Sequence, residues 1–307
     1  MSGGKKGQKL QTYTIRREPS DCKLTAMKLY KTTIGILLQN NTGVYIIPED
    51  WDILVNRKDL YGYLSKQTKN NQKVTPDVFG ELLKHDLFAP IGTQEVWAAG
   101  VTYLRSRDAR MEESKESGGA TFYDKVYIAD RPELFFKALP QRVVGDHQEV
   151  NIRRDSTWNV PEPELTLYIN SFGEIQGYTI GNDMSSRSIE GENPLYLPQA
   201  KSYERSAALG PCLYVPQHPI SRDTLISISI KRFGEEVFKD SIQLNRMKRE
   251  LTELSGYLYR ELDFPAGCYL MTGTGMVPGN DFTLKVGDVV AITIEGIGTL
   301  TNTIAMR

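Results

Sequence analysis

The chain has 307 residues, a formal net charge of −1 and three cysteines. This length allows one large domain, a small additional one and a sizeable core. The charge gives no electrostatic reason to expect binding to nucleic acid or to an anionic membrane, and no apolar run approaches the ~20 residues of a membrane span. Cys22, Cys212 and Cys268 are scattered and include no Cys-x-x-Cys motif, which favours a reducing, cytoplasmic setting.

Residues 1–90 are predicted to form a small N-terminal domain, and residues 91–307 a larger one. About ten residues at the start, which include Lys5, Lys6 and Lys9, are typical of a disordered tail. The next segments predict two regions of strand character and two helices, the second of them opened by Thr75-Pro76. These segments are residues 24–38 and 42–47 for the strands and residues 58–66 and 76–84 for the helices.

The larger domain is predicted to be mainly β with a few helices, so the chain belongs to the α+β class. The strict alternation at residues 225–230 is its clearest strand, and Asn245 is predicted to cap a helix over residues 245–262. The remaining predictions are strands at residues 95–103, 132–137, 141–152, 212–215, 236–239, 268–271, 289–294 and 298–305, a helical turn at 184–187 and an irregular segment at 190–203.

A charged helix is predicted over residues 104–116, directly after a buried strand, and Gly118-Gly119 is predicted to end it. Such a helix is either a solvated face or a mobile lid that orders over a ligand. The sequence favours the solvated face.

Three carboxylates are predicted to meet at the open end of a β-hairpin. Residues 165–180 predict this hairpin, and a turn near Gly173 places Glu162 opposite Asp183. Glu164 is two residues from Glu162, so both side chains point to one face of an extended strand. Three carboxylates repel one another unless a cation lies between them. An all-oxygen set suits Mg²⁺, Mn²⁺ or Ca²⁺ rather than zinc. The alternative is that both glutamates are ordinary solvated charges.

Six short motifs together resemble the fumarylacetoacetate hydrolase family, because they occur in the order found in that family. Each motif alone is weak, but the ordered set is specific and covers roughly residues 95–300. The motifs are Gly100-Val101-Thr102-Tyr103, Glu162-x-Glu164, Asn182-Asp183-Met184-Ser185-Ser186-Arg187, Ala200-Lys201-Ser202-Tyr203, Gly210-Pro211 and Thr272-Gly273-Thr274.

The resemblance implies a β-sandwich roll with a small variable N-terminal domain, assembled as a homodimer or homotetramer. It also implies a catalytic Mg²⁺ or Mn²⁺ bound by Glu162, Glu164 and Asp183, with Lys201 as the active-site lysine. The substrate-binding residues that it implies are Tyr103, Ser106, Arg187, Gly273 and Thr274. Among these, the turn at Gly273 and Thr274 would contact the substrate carboxylate, and Arg187 would orient it.

One departure from the family pattern bears on the reaction. Family hydrolases and decarboxylases usually carry Tyr-x-x-His-x-x-Glu after the first strand, a dyad that activates water. Here Tyr103 is followed by Ser106 and Ala109, so both members of the dyad are missing. The stretch resembles that of family members that dehydrate 2-keto-3-deoxy sugar acids, which also share the 18-residue step from Asp183 to Lys201.

The resemblance therefore implies a metal-dependent dehydratase of a small 2-keto acid such as 2-keto-3-deoxy-D-arabinonate, with 2-oxoglutarate semialdehyde as product. A divalent ion that chelates the 2-keto oxygen withdraws electrons from C3. Lys201 would remove the C3 proton, with a pKa lowered by burial and by the metal charge. No water need be activated for this reaction.

Two alternatives remain open at this point. A C–C hydrolase or decarboxylase of acylpyruvate or oxaloacetate type would yield pyruvate plus an acid, or CO₂. A non-catalytic sugar-acid-binding protein would keep its ligand affinity when Lys201 is replaced by methionine.

Overall fold

The computed structural model describes residues 26–67, 71–113 and 120–307. The predicted N-terminal tail and the helix end at Gly118-Gly119 lie outside these residues. In chain order, the strands are β1 (Ala26–Thr32), β2 (Gly35–Asn40), β3 (Gly43–Ile47), β4 (Lys73–Val74), β5 (Leu87–Phe88), β6 (Glu95–Gly100), β7 (Glu133–Ala138), β8 (Val143–Val144), β9 (Glu149–Ile152), β10 (Asn159–Val160), β11 (Pro163–Ile169), β12 (Ile175–Asp183), β13 (Ser185–Ser186), β14 (Ala207–Pro216), β15 (Leu225–Arg232), β16 (Glu235–Gln243), β17 (Cys268–Met271), β18 (Val289–Ile294) and β19 (Gly298–Met306). The helices are α1 (Trp51–Val55), α2 (Leu60–Leu64), α3 (Pro76–His85), α4 (Leu104–Glu113), α5 (Ala120–Ile128), α6 (Arg187–Glu192), α7 (Leu197–Lys201) and α8 (Leu251–Leu258).

Two large sheets pack face to face. The first has the order β4-β3-β2-β1-β14-β12-β11-β17-β6-β7, with β5 beside β1 and β8 beside β14, and the second has the order β16-β15-β18-β19-β9. One apolar cluster joins Leu165 and Leu167 of the first sheet to Ile226, Ile228 and Ile292 of the second. Because alternate residues of each strand face this shared core, the observed fold is the mainly β sandwich that the family resemblance implies.

The N-terminal strands extend the first sheet across the domain boundary predicted at residue 90. β1 pairs antiparallel with β14, and Leu29 lies opposite Leu213. On the other face of this sheet, Trp51 and Leu54 of α1 belong to one cluster with Tyr168. The division into two domains at residue 90 stays a prediction.

The helix predicted over residues 245–262 is wrong at both ends. Residues Leu244–Arg246 form a 3₁₀ turn, and α8 covers only Leu251–Leu258. Asn245 does not cap this helix, because its side-chain amide donates to Asp223. Glu250 is the N-cap instead, and a capping box with Glu253 fixes the start of α8.

Three further segments differ from the sequence prediction. A helical turn is predicted at residues 184–187, but Ser185–Ser186 form β13 and α6 begins at Arg187. The described part of the segment predicted at residues 24–38 contains two strands rather than one, since β1 and β2 are joined by a turn at Thr33 and Ile34. Residues 190–203, predicted to be irregular, contain the end of α6, a 3₁₀ turn at Pro194–Tyr196 and α7. Helices of five or six residues are too short to produce a recognisable hydrophobic period. Among the described residues, no helix combines the length and the apolar character needed to cross a bilayer.

Candidate metal centre and active site

The register of the β11–β12 hairpin brings the predicted carboxylates together. Glu164 pairs with Gly181, and the backbone N–H of Asp183 donates to the carbonyl of Glu162 at 3.0 Å. Glu162 therefore lies opposite Asp183, as the sequence analysis predicts. The turn residue Gly173 has a φ of 78°, a conformation that glycine adopts readily.

One carboxylate oxygen from each of Glu162, Glu164 and Asp183 lies within 4.8 Å of the others, and all three residues are buried. Burial and the charges of Asp183 and Glu162 raise the pKa of Glu164 well above its usual value. Such repulsion among buried carboxylates is relieved when a cation binds between them. Since the donors are all oxygen atoms, the three residues fit a hard divalent cation such as Mg²⁺.

Gly273 fixes the position of Glu164. Its backbone N–H donates to Glu164 Oε2 at 2.6 Å. It has a φ of +90°, and an added Cβ would lie 2.1 Å from Thr102 Oγ1 and 2.9 Å from the carbonyl oxygen of Ala99. A side chain at this position would therefore displace the turn. The N–H that the sequence analysis assigns to a substrate carboxylate is already engaged by a carboxylate of the protein.

Lys201 lies at the end of α7 and is fully buried. Its ammonium nitrogen is 2.8 Å from Glu162 Oε2 and 3.1 Å from Asp183 Oδ2, and it donates to Ser185 Oγ at 2.6 Å. Burial lowers the pKa of Lys201, but the charges of Asp183, Glu162 and Glu190 raise it further, so the pKa lies above its usual value. The sequence analysis expects a lowered pKa beside a bound metal ion, and that expectation stays a prediction, because a cation between the carboxylates would offset the charges that raise the pKa here.

Lys137, which belongs to none of the sequence motifs, is a second buried lysine at the site. Its ammonium nitrogen lies 2.5 Å from Asp183 Oδ1 and donates to the carbonyl oxygens of Met184 and Lys201 at 2.9 and 2.5 Å. Burial lowers its pKa. The alternation of Glu133, Phe135 and Lys137 along β7 indicates that these three side chains share one face of the strand, so the sequence contained a sign of this lysine.

The guanidinium of Arg187 contacts a carboxylate of the protein. Its Nη2 donates to Glu162 Oε1 at 2.5 Å. Burial alone would raise the pKa of Glu162, but the positive charges of Lys201, Arg187 and Arg110 lower it below its usual value. The predicted role of Arg187 in orienting a substrate carboxylate stays a prediction.

A narrow cavity lies beside these groups. Ser106, Arg110, Phe135, Lys201, Gly273 and Thr274 are among its lining residues. Ser106 and Arg110 both come from α4, so the helix predicted to be a solvated face covers the site in part. Thr274 accepts a hydrogen bond from the backbone N–H of Met276 through its hydroxyl oxygen at 3.2 Å.

Ser106 and Tyr103, two of the predicted substrate-binding residues, interact with other groups of the protein. The Ser106 hydroxyl donates to the Tyr103 carbonyl at 2.7 Å and accepts from the Tyr103 N–H at 3.2 Å, which secures the first turn of α4. The Tyr103 side chain is buried, and burial and the charge of Glu164 raise its pKa. The structure thus brings Ser106 to the cavity and places Tyr103 near Glu164.

Comparison with known proteins supports the motif resemblance. The family model described as fumarylacetoacetate (FAA) hydrolase, C-terminal, matches residues 102–305. The sequence is 41% identical over 296 residues to the 2-dehydro-3-deoxy-D-arabinonate dehydratase of Saccharolobus solfataricus, with 92% of this chain and 97% of that protein covered. It is 49% identical over 216 residues to the probable 2-keto-3-deoxyxylonate dehydratase of Haloferax volcanii, with 70% of this chain and 73% of that protein covered.

A solved structure agrees with these relatives. The 2-keto-3-deoxy-D-arabinonate dehydratase complexed with magnesium and 2,5-dioxopentanoate superposes with a TM-score of 0.79 at 35% identity, and 92% of this chain and 99% of that chain are covered. The match of sequence, fold and buried carboxylates has one conclusion: the chain belongs to the fumarylacetoacetate hydrolase family and is an enzyme of that family.

Proposed function

We propose that this protein is a divalent-metal-dependent dehydratase of a 2-keto-3-deoxy sugar acid such as 2-keto-3-deoxy-D-arabinonate. The product would be 2-oxoglutarate semialdehyde, which is 2,5-dioxopentanoate. The observation that carries the proposal is the buried carboxylate triad with the Lys201 ammonium 2.8 Å from Glu162, in a site that has Ser106 and Ala109 where a water-activating dyad would stand. The two dehydratase relatives support the same reaction.

Glu162, Glu164 and Asp183 would bind the metal ion, and Mg²⁺ is preferred over Mn²⁺ or Ca²⁺ because the similar dehydratase structure contains magnesium. When bound, a divalent cation supplies a Lewis acid for the 2-oxo group and positive charge to the carboxylates that now surround Lys201. Gly273 would hold Glu164 in place through its N–H. Arg187 would do the same for Glu162.

Lys201 would accept the C3 proton of the substrate as a neutral amine, the form that it would take once a cation engages the carboxylates that now raise its pKa. This hydrogen is acidic because it is adjacent to the 2-oxo group, and Lys201 lines the cavity in which the substrate would lie. The electron pair of the C3–H bond becomes the second bond between C3 and C4, and the C4–O bond breaks. Tautomerisation then shifts two hydrogens, one from C5 and one from its hydroxyl group, to C3 and C4, which leaves the C5 aldehyde.

Glu133 would donate a proton to the C4 hydroxyl group, so that it leaves as water. Its carboxylate lies against Gly100, where an added Cβ would be 2.0 Å from Glu133 Oε2, and Gly100 lines the cavity. Burial of this carboxyl group raises its pKa, which favours the protonated form. A general acid requires a carboxyl group that carries a proton, and a raised pKa works in that direction.

Replacement of Glu133 by glutamine is expected to lower kcat for dehydration by about 100- to 10,000-fold, the usual contribution of a general acid. Mg²⁺ affinity should be unchanged, because Glu133 is not one of the three candidate ligands. The kcat of this variant for a 4-fluoro analogue of the substrate should fall much less, since fluoride leaves without a proton. Glu236→Gln, an exposed change on β16, is the control. Equal losses for the hydroxyl and fluoro substrates would contradict the assignment.

The reaction itself is tested by incubating the purified protein with Mg²⁺ and 2-keto-3-deoxy-D-arabinonate and following the products by NMR. We expect an aldehyde proton signal from 2,5-dioxopentanoate and no signal in the presence of a chelator. Pyruvate together with glycolaldehyde would indicate C–C cleavage. In a parallel incubation with oxaloacetate, CO₂ release by a protein that does not dehydrate the sugar acid would indicate a decarboxylase. Binding of the sugar acid without any product would indicate a binding protein. Each of these three results contradicts the dehydratase proposal.

We further propose that the enzyme works in the cytoplasm as a homodimer or homotetramer, with a small 2-keto acid as its partner and neither nucleic acid nor a membrane. Cys212 and Cys268 are buried and unpaired, which fits a reducing compartment. The near-neutral net charge of −1 supports the absence of a polyanionic partner. Assembly is supported by the family resemblance.

A further inference from the structure

Glu190, on α6, is a buried carboxylate that the proposed reaction does not yet use. Its side chain is 1% exposed, and its Oε1 lies 3.3 Å from Arg110 Nη2 and 3.4 Å from Lys201 Nζ. The other oxygen lies 3.6 Å from Arg187 Nε. These cations come from α4, from the end of α7 and from the start of α6. Glu190 therefore connects the helix that partly covers the cavity to the lysine that would accept the proton.

We infer that Glu190 is a positioning residue that holds the side-chain nitrogen of Lys201 toward the cavity; this inference rests on the proposed dehydration. The other two carboxylates in contact with Lys201 are Glu162 and Asp183, and both belong to the candidate metal triad. Glu190 does not belong to it. Its oxygens therefore remain available to the Lys201 nitrogen when the triad is engaged by a cation.

Several buried charges near Glu190 already have other partners of opposite charge. Glu162 contacts both Arg187 and Lys201 directly, and Asp183 contacts Lys137 and Lys201. Leaving a buried charge without a partner is strongly unfavourable. Arg110, which lines the cavity, reaches this cluster through Glu190. Glu190 thus contacts both α4, through Arg110, and Lys201.

The test compares Glu190→Gln with wild type in the Mg²⁺-loaded enzyme. We expect kcat to fall about 10- to 100-fold, the effect of a misplaced catalytic group, with KM changed less than about threefold. The primary isotope effect with 3,3-dideuterated substrate should increase, because proton transfer becomes slower relative to the other steps. Glu192→Gln is the matched control, since Glu192 lies on the same helix and is exposed. A Glu190→Gln variant with wild-type kcat and isotope effect would overturn the inference.

A second measurement does not depend on turnover. The ammonium signal of Lys201 in ¹H–¹⁵N spectra, identified by its loss in Lys201→Met, should shift or broaden in Glu190→Gln and not in Glu192→Gln. An unchanged signal overturns the inference even if the protein has another activity. Failure of the proposed function would instead be seen as absence of dehydration by the wild-type enzyme, so the two failures are distinguishable.

Discussion

Lys201→Met is expected to lower kcat for dehydration by about 1,000-fold or more, because a general base typically contributes 100- to 10,000-fold and methionine has no basic atom. Methionine fills a similar volume with a flexible, apolar side chain. Affinity for the product 2,5-dioxopentanoate, measured by calorimetry at saturating Mg²⁺, should change by less than about tenfold. The enzyme would then bind its ligand without turning it over.

Loss of the lysine also removes a cation from the buried contacts with Glu162, Asp183 and Glu190. Removing one partner of a buried ion pair is strongly destabilising, so thermal unfolding should be recorded with and without Mg²⁺. Lys239→Met changes an exposed lysine on β16 and should leave both activity and stability near wild type. Retention of a tenth or more of wild-type kcat by Lys201→Met would exclude Lys201 as the C3 base.

Glu164→Gln is expected to weaken Mg²⁺ binding by about 100-fold or more, because changing even a partner of a metal ligand costs about 10- to 100-fold in affinity. At a Mg²⁺ concentration 100 times its Kd, the wild-type protein should gain about 2.7 kcal/mol of stability. The variant should gain almost none at the same concentration. Calorimetric titration and thermal unfolding with and without Mg²⁺ measure the two effects.

In the absence of metal, the stability of Glu164→Gln should depend on pH differently from that of the wild-type protein. The pKa of Glu164 is raised above 4.5 in the folded state, so between 4.5 and the raised pKa the folded protein binds more protons than the unfolded one. Its stability therefore falls as pH rises through this window. Glu164→Gln removes that decrease. Glu149→Gln, an exposed change on β9, should retain it, and unchanged Mg²⁺ affinity in Glu164→Gln would show that Glu164 is not a ligand.

Local chain geometry made the carboxylate site predictable. The turn near Gly173 sets the register of β11 against β12, and the two-residue spacing of Glu162 and Glu164 sets their common face. The register and the spacing both belong to one hairpin, so they can be predicted without knowledge of the rest of the fold. The ordered motifs added Lys201, which lies 18 residues after Asp183.

The sequence by itself thus determined the mainly β class, the hairpin, the three carboxylates and the family. Only the tertiary structure decided which distant side chains surround them: Lys137, Arg110, Glu133 and Glu190. It also decided that β1 joins the catalytic sheet and that three carboxylates contact Lys201. The physical reason is that a periodic pattern reports the local backbone and its buried face, whereas charges and hydrogen bonds between remote segments depend on how the sheets and helices pack.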